Sequence, residues 1–161
     1  MDDATFDRLV RQEMRAVSAY ARAISVDRWA AEEAVQETFL RAWKYLDSYR
    51  GSGSFEGWLL RICRRCVIDQ ASRSTATEPL DDTARHDLQV LNGEGLSDIA
   101  DLVRRLPLPQ REALVLCTIL GYDYEQAADL LDVPVGTIRS RIHRARASLE
   151  GRLAESVAET A

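Results

Sequence analysis

The chain has 161 residues, 46% of them hydrophobic and 29% charged, with 21 Lys+Arg against 26 Asp+Glu and a formal net charge of −5. This balance excludes a collagen-like, low-complexity or wholly disordered polymer, and no apolar run approaches the roughly 20 residues of a membrane span. The start, Met1-Asp2-Asp3, lacks the basic and apolar stretches of a signal peptide, so a cytoplasmic location without membrane insertion is expected.

Residues 5–25 read as an amphipathic helix, because Phe6, Leu9, Val10, Met14, Val17, Tyr20, Ala21 and Ile24 recur at three- and four-residue steps. Asp27 offers an N-cap for a second helix over about 28–46. Its apolar stripe is Ala31, Ala34, Val35, Thr38, Phe39, Ala42 and Leu46; its other face carries Glu32, Glu33, Gln36, Glu37, Leu40, Arg41 and Lys44. The run Tyr49-Arg50-Gly51-Ser52-Gly53-Ser54 is a loop by composition. Ser54 can cap a third helix, about 55–72, with Phe55, Trp58, Leu59, Ile62, Cys63 and Cys66 as its core side and Arg61, Arg64, Arg65 and Asp69 opposite. Residues 49–73 hold five basic and two acidic side chains, the first of two basic islands.

Periodicity disappears from 73 to about 95. Residues 74–103 hold one basic and seven acidic groups, and the stretch 74–95 reads as an acidic linker, longer than connections inside a compact domain usually run. Beyond it, Pro107 and Pro109 separate a short helix (97–105) from another (110–120), which Gly121 can end. Residues 124–131, a break at Asp132-Val133-Pro134 and a last helix over about 135–154 follow. No strand pattern is present. The expected fold is all-α: two small helical domains, 1–73 and 96–161, joined by a flexible acidic linker, the second domain a helix-turn-helix.

In that second domain Ala127, Ala128 and Leu131 are placed to meet Ile138, Ile142 and Ala145, the alanines allowing a close crossing. Gly136 and Thr137 stand at the start of the last helix, where a hydroxyl cap and free N–H groups would hold a phosphate. Arg139, Ser140, His143 and Arg144 share one outward face, as the leading residues of a recognition helix do. Arg141 and Arg146 diverge toward backbone phosphates or intramolecular pairs. Residues 135–152, with five basic groups and one acidic, are the second basic island, the footprint of a phosphate-binding surface. A lone His143 is a DNA or solvent contact rather than a metal ligand, since the only other histidine is His86 in the linker.

The first domain carries a resemblance. Ala31-Glu32-Glu33-Ala34-Val35-Gln36-Glu37-Thr38-Phe39-Leu40-Arg41-Ala42-Trp43 is similar to the polymerase-binding signature of extracytoplasmic-function (ECF) sigma factors. Tyr49-Arg50-Gly51-Ser52-Gly53-Ser54-Phe55-Glu56-Gly57-Trp58-Leu59 resembles their promoter-melting segment. Leu106-Pro107, Gln110-Arg111-Glu112 and Pro134 through Arg146 resemble their carboxy-terminal domain, so the likeness spans about residues 5–153. It implies that Glu33, Gln36, Glu37, Leu40 and Arg41 dock on the β′ clamp of core RNA polymerase. It implies that the 50–54 loop opens the −10 element and holds a flipped base, with Tyr49 and Arg50 beside it. Arg61, Arg64 and Arg65 would face the upstream duplex or the separated strand. Gly136, Thr137, Arg139, Ser140, Arg141, His143, Arg144 and Arg146 would read promoter DNA at −35. The linker would run toward the RNA exit path, imitating nucleic-acid charge, and an anti-sigma factor is an expected partner.

Other chemistry finds little support. Cys63-Arg64-Arg65-Cys66 is formally C-x-x-C, but zinc would need a second ligand pair, and a dithiol at mid-helix lacks the helix N-terminus that activates a thiol. Structural, half-buried cysteines are expected, with no cofactor and no catalytic residues. Two rivals remain at this point: a stand-alone helix-turn-helix regulator, and a redox-switched adaptor using Cys63 and Cys66.

Overall fold

In the computed structural model, which describes residues 2–74 and 94–160 (the side chains of 94–98 excepted), every regular element among the described residues is helical. The chain divides into two compact units, Met1–Leu88 and Gln89–Ala161.

The first unit is three helices, each packed on the other two. α1 spans Asp3–Ile24 and is capped by Asp2, whose carboxylate accepts from the Thr5 N–H at 2.8 Å. It buries Val17, Tyr20, Ala21 and Ile24, while Met14 is exposed and Phe6 instead rests edge-on against Trp43, ring centroids 4.9 Å apart. α2 spans Arg28–Lys44, with the Asp27 carboxylate accepting from Ala30 N–H at 2.8 Å. Its buried face is Ala31, Ala34, Thr38 and Ala42, small side chains that let α1 and α3 approach closely. Thr38 is tolerated in that core because its hydroxyl donates to the Ala34 carbonyl at 2.6 Å. The helix stops at Lys44, short of the expected 46, and Leu46–Ser48 form a 3₁₀ turn. α3, Phe55–Ser74, starts on the expected Ser54 cap, with Gly57 N–H donating to its hydroxyl at 3.0 Å. Its buried side is Leu59, Leu60, Cys63, Cys66 and Val67, whereas Phe55, Trp58 and Ile62 are only half-buried. Leu60 and Val67 are covered because α3 has neighbours on two sides, which widens the stripe beyond a single face.

In the second unit α4 spans Glu94–Arg104, starting earlier than expected. α5, Leu108–Leu114, has Pro109 in its first turn, where a missing N–H costs nothing. It then runs into a π-helical turn, Val115–Ile119, closed by Leu120 N–H donating to the Val115 carbonyl at 3.1 Å. Gly121, at φ +76, ends it. α6 spans Tyr124–Leu131 behind a full capping box: Gln126 N–H donates to the Asp123 carboxylate at 2.7 Å, and Asp123 N–H to the Gln126 side chain at 3.0 Å. Asp132 turns the chain in the left-handed region at φ 54, and Val133 N–H donates to Ala128 C=O at 3.0 Å. α7 follows at once, Val135–Thr160, and outruns its expected end.

Ala127, Ala128 and Leu131 of α6 and Ile138, Ile142 and Ala145 of α7 are all buried, as a closely crossed helix-turn-helix requires. Leu106, Leu114 and Ala145 form one cluster, with Val103 and Leu149 packed on it. From Leu153 to Thr160 every side chain is exposed. The expected linker 74–95 lies outside the described residues, apart from Ser74 at the end of α3 and the first residues of α4.

Candidate nucleic-acid interface

The start of α7 is set by Pro134, whose carbonyl accepts from Thr137 N–H at 2.9 Å and Ile138 N–H at 3.4 Å. Thr137 therefore lies inside the first turn with its N–H engaged, and is not the hydroxyl cap expected from the sequence. The burial of Ile138, Ile142 and Ala145 turns the remaining faces outward: Gly136, Arg139, His143, Arg144 and Arg146 are exposed, and Arg141 is half-buried. Ser140 folds its hydroxyl back onto the helix, donating to the Gly136 and Thr137 carbonyls at 3.0 and 3.2 Å. Over the first three turns of this helix, Gly136 to Arg146, the exposed side chains are thus mostly guanidinium groups, the type suited to phosphate and guanine.

In the first unit the 49–54 loop has a defined shape. Gly51 and Gly53 stand at φ +72 and +90, which L side chains adopt only with strain, and a Cβ on either would meet nothing within 4 Å. Arg50, Ser52 and Ser54 are exposed. The Tyr49 ring packs against Phe55 and Trp58, centroids 5.2 and 5.4 Å away, and its hydroxyl donates to the Gly53 carbonyl at 3.1 Å. On α3, Arg61 and Arg65 are exposed and Arg64 is half-buried.

α2 presents Glu33, Gln36 and Leu40 as an exposed stripe, with Leu40 67% accessible. Arg41 is drawn off that stripe. Its Nε meets Glu37 Oε1 at 2.6 Å and its Nη1 meets Asp69 Oδ2 at 2.9 Å, tying α2 to α3. Hydrogen bonds donated to Glu37 and then to Asp69 push the Arg41 pKa further above its already high value. Trp29 is a residue sequence reasoning missed. It is 76% exposed and lies four residues, about one helical turn, before Glu33 on the same helix, and that step is the signal that finds it.

Cys63 and Cys66 are both buried, and desolvation pushes the Cys63 thiol up to about 12 and raises Cys66 as well. Thiolates are suppressed at both, the opposite of a reactive pair. No group of three or more His, Cys, Asp or Glu is placed to hold a metal ion among the described residues. Glu112 was not foreseen as core, yet it is buried on α5 beside Arg111, whose pKa is lowered first by desolvation and then by Arg104.

A three-helix unit with an exposed stripe on α2 and a glycine loop, followed in sequence by a helix-turn-helix faced with arginine, defines a DNA-binding transcription factor. Known proteins narrow that class. The Sigma-70 region 2 family matches residues 9–77 and the Sigma-70 region 4 family residues 96–149. The chain is 34% identical to ECF RNA polymerase sigma factor SigE of Mycolicibacterium smegmatis, over 98% of its own length and 65% of that protein's. It is 35% identical to the probable RNA polymerase sigma-C factor of Mycobacterium bovis, over 84% of this chain and 82% of that one. Among solved structures, the sigma factor RpoE of Bartonella quintana, in complex with the anti-sigma factor NepR, superposes with a TM-score of 0.79 at 28% identity, covering 93% of this chain and 97% of that one. CnrH, in complex with the cytosolic domain of CnrY, gives 0.72 at 27% identity, covering 96% and 90%. The chain belongs to the ECF family of RNA polymerase sigma factors, the proteins of promoter-specific transcription initiation. No helix among the described residues is long and apolar enough to cross a membrane.

Proposed function

We propose that this protein binds core RNA polymerase in the cytoplasm and directs it to a set of promoters, with its two units on separate elements of the DNA. The observation that carries the reading is the pairing of region 2 and region 4 matches, in that order, with an Arg-faced α7. Residues 1–73 are the polymerase-binding and −10 domain, 74–95 the connection, and 96–161 the −35 domain. Glu33, Gln36, Glu37 and Leu40 dock on the β′ clamp, with Trp29 extending the stripe by one turn; Arg41 supports that face through Glu37 and Asp69 rather than reaching across it.

Arg50, Gly51, Ser52, Gly53 and Ser54 receive the opened −10 strand, and Arg61, Arg64 and Arg65 supply positive charge along α3. Strand opening needs a site that compensates lost stacking, and a small-residue arch next to guanidinium groups offers backbone and phosphate contacts to an extruded nucleotide. At −35, Arg139, His143 and Arg144 are placed for base edges, Gly136 and Thr137 for close backbone approach, and Arg141 and Arg146 for phosphates, with Ser140 shaping the first turn. Two of the structural neighbours were solved with the anti-sigma factor NepR and the cytosolic domain of CnrY. A partner that covers the docking stripe and the Arg face would hold this protein inactive. The region 2 match disfavours a stand-alone helix-turn-helix regulator, and the buried thiols disfavour a redox adaptor.

Transcription with purified core polymerase on a genomic promoter library tests the reading. Promoter-specific transcripts dependent on this protein are expected, and Leu40→Ala, at an exposed position, should reduce them by weakening core binding. Failure of the wild-type chain to bind core overturns the proposal.

A further inference from the structure

Tyr49 lies at the mouth of the 50–54 loop, and its geometry differs from that of an aromatic waiting for a base. Its ring is already engaged by Phe55 and Trp58 at 5.2 and 5.4 Å, and those two rings lie 5.5 Å from each other. Its hydroxyl reaches over four residues to the Gly53 carbonyl at 3.1 Å, and its own N–H donates to the Leu46 carbonyl at 3.1 Å. One end of the loop is thus tied to the other by a side chain rooted in an aromatic cluster. Immediately beyond, Ser54 anchors α3 through the Gly57 N–H at 3.0 Å. Between these ties the chain must pass through two left-handed residues, Gly51 and Gly53, whose Cα atoms face open space, while Arg50 and Ser52 are exposed.

Left to itself, a segment with two glycines in six residues samples many shapes, and ordering it on binding costs free energy. The Tyr49 clasp removes part of that cost beforehand, because a closed arch needs less ordering than a free loop. We infer that Tyr49 is a positioning residue for promoter opening: its hydroxyl holds the 50–53 arch in the shape that receives the extruded −10 nucleotide, and its ring is not the surface on which that base stacks. This rests on the assignment of the loop to the −10 element proposed above.

Tyr49→Phe keeps the ring and its packing and removes only the tie to Gly53. Two measurements on holoenzyme assembled with core polymerase read the consequence: the rate of open-complex formation on duplex promoter, and affinity for a single-stranded oligonucleotide carrying the −10 sequence. Losing one hydrogen bond of ordinary strength, both should fall on the order of three- to tenfold. Core affinity should stay at the wild-type value, and the thermal midpoint should fall by no more than the loss of one hydrogen bond accounts for. A ring that stacks on the base makes the opposite forecast, since phenylalanine stacks as well as tyrosine. Wild-type behaviour of Tyr49→Phe in both assays therefore overturns the clasp. Tyr49→Leu, which loses ring and hydroxyl together, should be no less defective than Tyr49→Phe, and a defect confined to Tyr49→Leu returns the base-stacking role to the ring. If wild-type holoenzyme itself fails to open the duplex or bind the oligonucleotide, the −10 assignment falls and the clasp with it.

Discussion

Arg144 projects from α7 two turns past Gly136, exposed and opposite the buried Ile138–Ile142 side. Its position forecasts a specific effect: Arg144→Ala should cost about 1–3 kcal/mol of discrimination between −35 sequences, the value of a bidentate guanine contact. Competition binding by holoenzyme against promoters altered one base pair at a time measures it, and a uniform loss across all sequences would move Arg144 to the phosphate group of contacts. Cys63 yields a second forecast. Its thiol is held protonated by burial up to about 12, against an ordinary 9.0, so the folded state binds a proton that the unfolded chain releases. That contribution to stability is complete below pH 9 and is lost as pH climbs toward 12, at about 1.4 kcal/mol per pH unit for one such thiol. Denaturant unfolding between pH 8 and 10.5 should show Cys63→Ala declining less steeply than wild type. Parallel slopes would reject the buried-thiol account. At this scale the sequence identified which residues carry charge and which carry sulfur, but not their commitments. Arg41 lies on the same helical face as Glu37, and the family resemblance puts it among docking residues; its bridge to Asp69 spans 28 positions and arises only when α2 meets α3. Tyr49 was legible as an aromatic beside a loop, whereas its hydroxyl tie depends on how two glycines bend the chain.

Helices were more legible than residues, because each boundary has a local chemical cause. Asp27 and Ser54 cap as their side chains dictate, and Gly121 ends α5 and its π turn with a positive φ. Asp123 adds a reciprocal cap to α6, the first helix of the helix-turn-helix. Asp123→Ala should destabilise the second unit by about 1 kcal/mol, which lowers the midpoint of a domain this size by roughly 4–8 °C. Calorimetry on the full chain checks it, and an unchanged midpoint for the transition assigned to this unit would mean the cap contributes nothing there. Between α2 and α3 the Arg41–Asp69 pair is only partly buried, with side chains 27% and 45% accessible, so solvent screening keeps its worth small. Asp69→Asn should lower stability by about 0.5–1 kcal/mol and leave core binding near wild type if the pair is structural. A large loss of core affinity in that variant would instead show that Arg41 must be held in place for docking. Elements misread from sequence departed from their local cues in one of two ways, by packing on more than one side or by running on beyond the core. α3 buries Leu60 and Val67 because helices lie on two of its sides, and α7 continues past the core on its own hydrogen bonds.

For the whole chain, the net charge of −5 conceals two basic islands, residues 49–73 and 135–152, with an acidic stretch between them in sequence. Self-repulsion from DNA phosphates is then balanced against attraction at two small faces. The free protein should bind promoter fragments weakly and without selectivity at physiological salt, while holoenzyme binds them specifically. Affinity of holoenzyme should fall steeply with salt as phosphate contacts release counterions. Promoter-specific binding by the free protein in about 0.15 M salt would count against this division between protein and polymerase. The π turn at Val115–Ile119 houses one more residue than a regular turn, just before Gly121 and the capped start of α6. A chain gaining or losing a single residue there changes the girth of that turn and leaves the address of every later side chain intact. The bulge takes up one residue of chain length ahead of Gly121 and the capped start of α6.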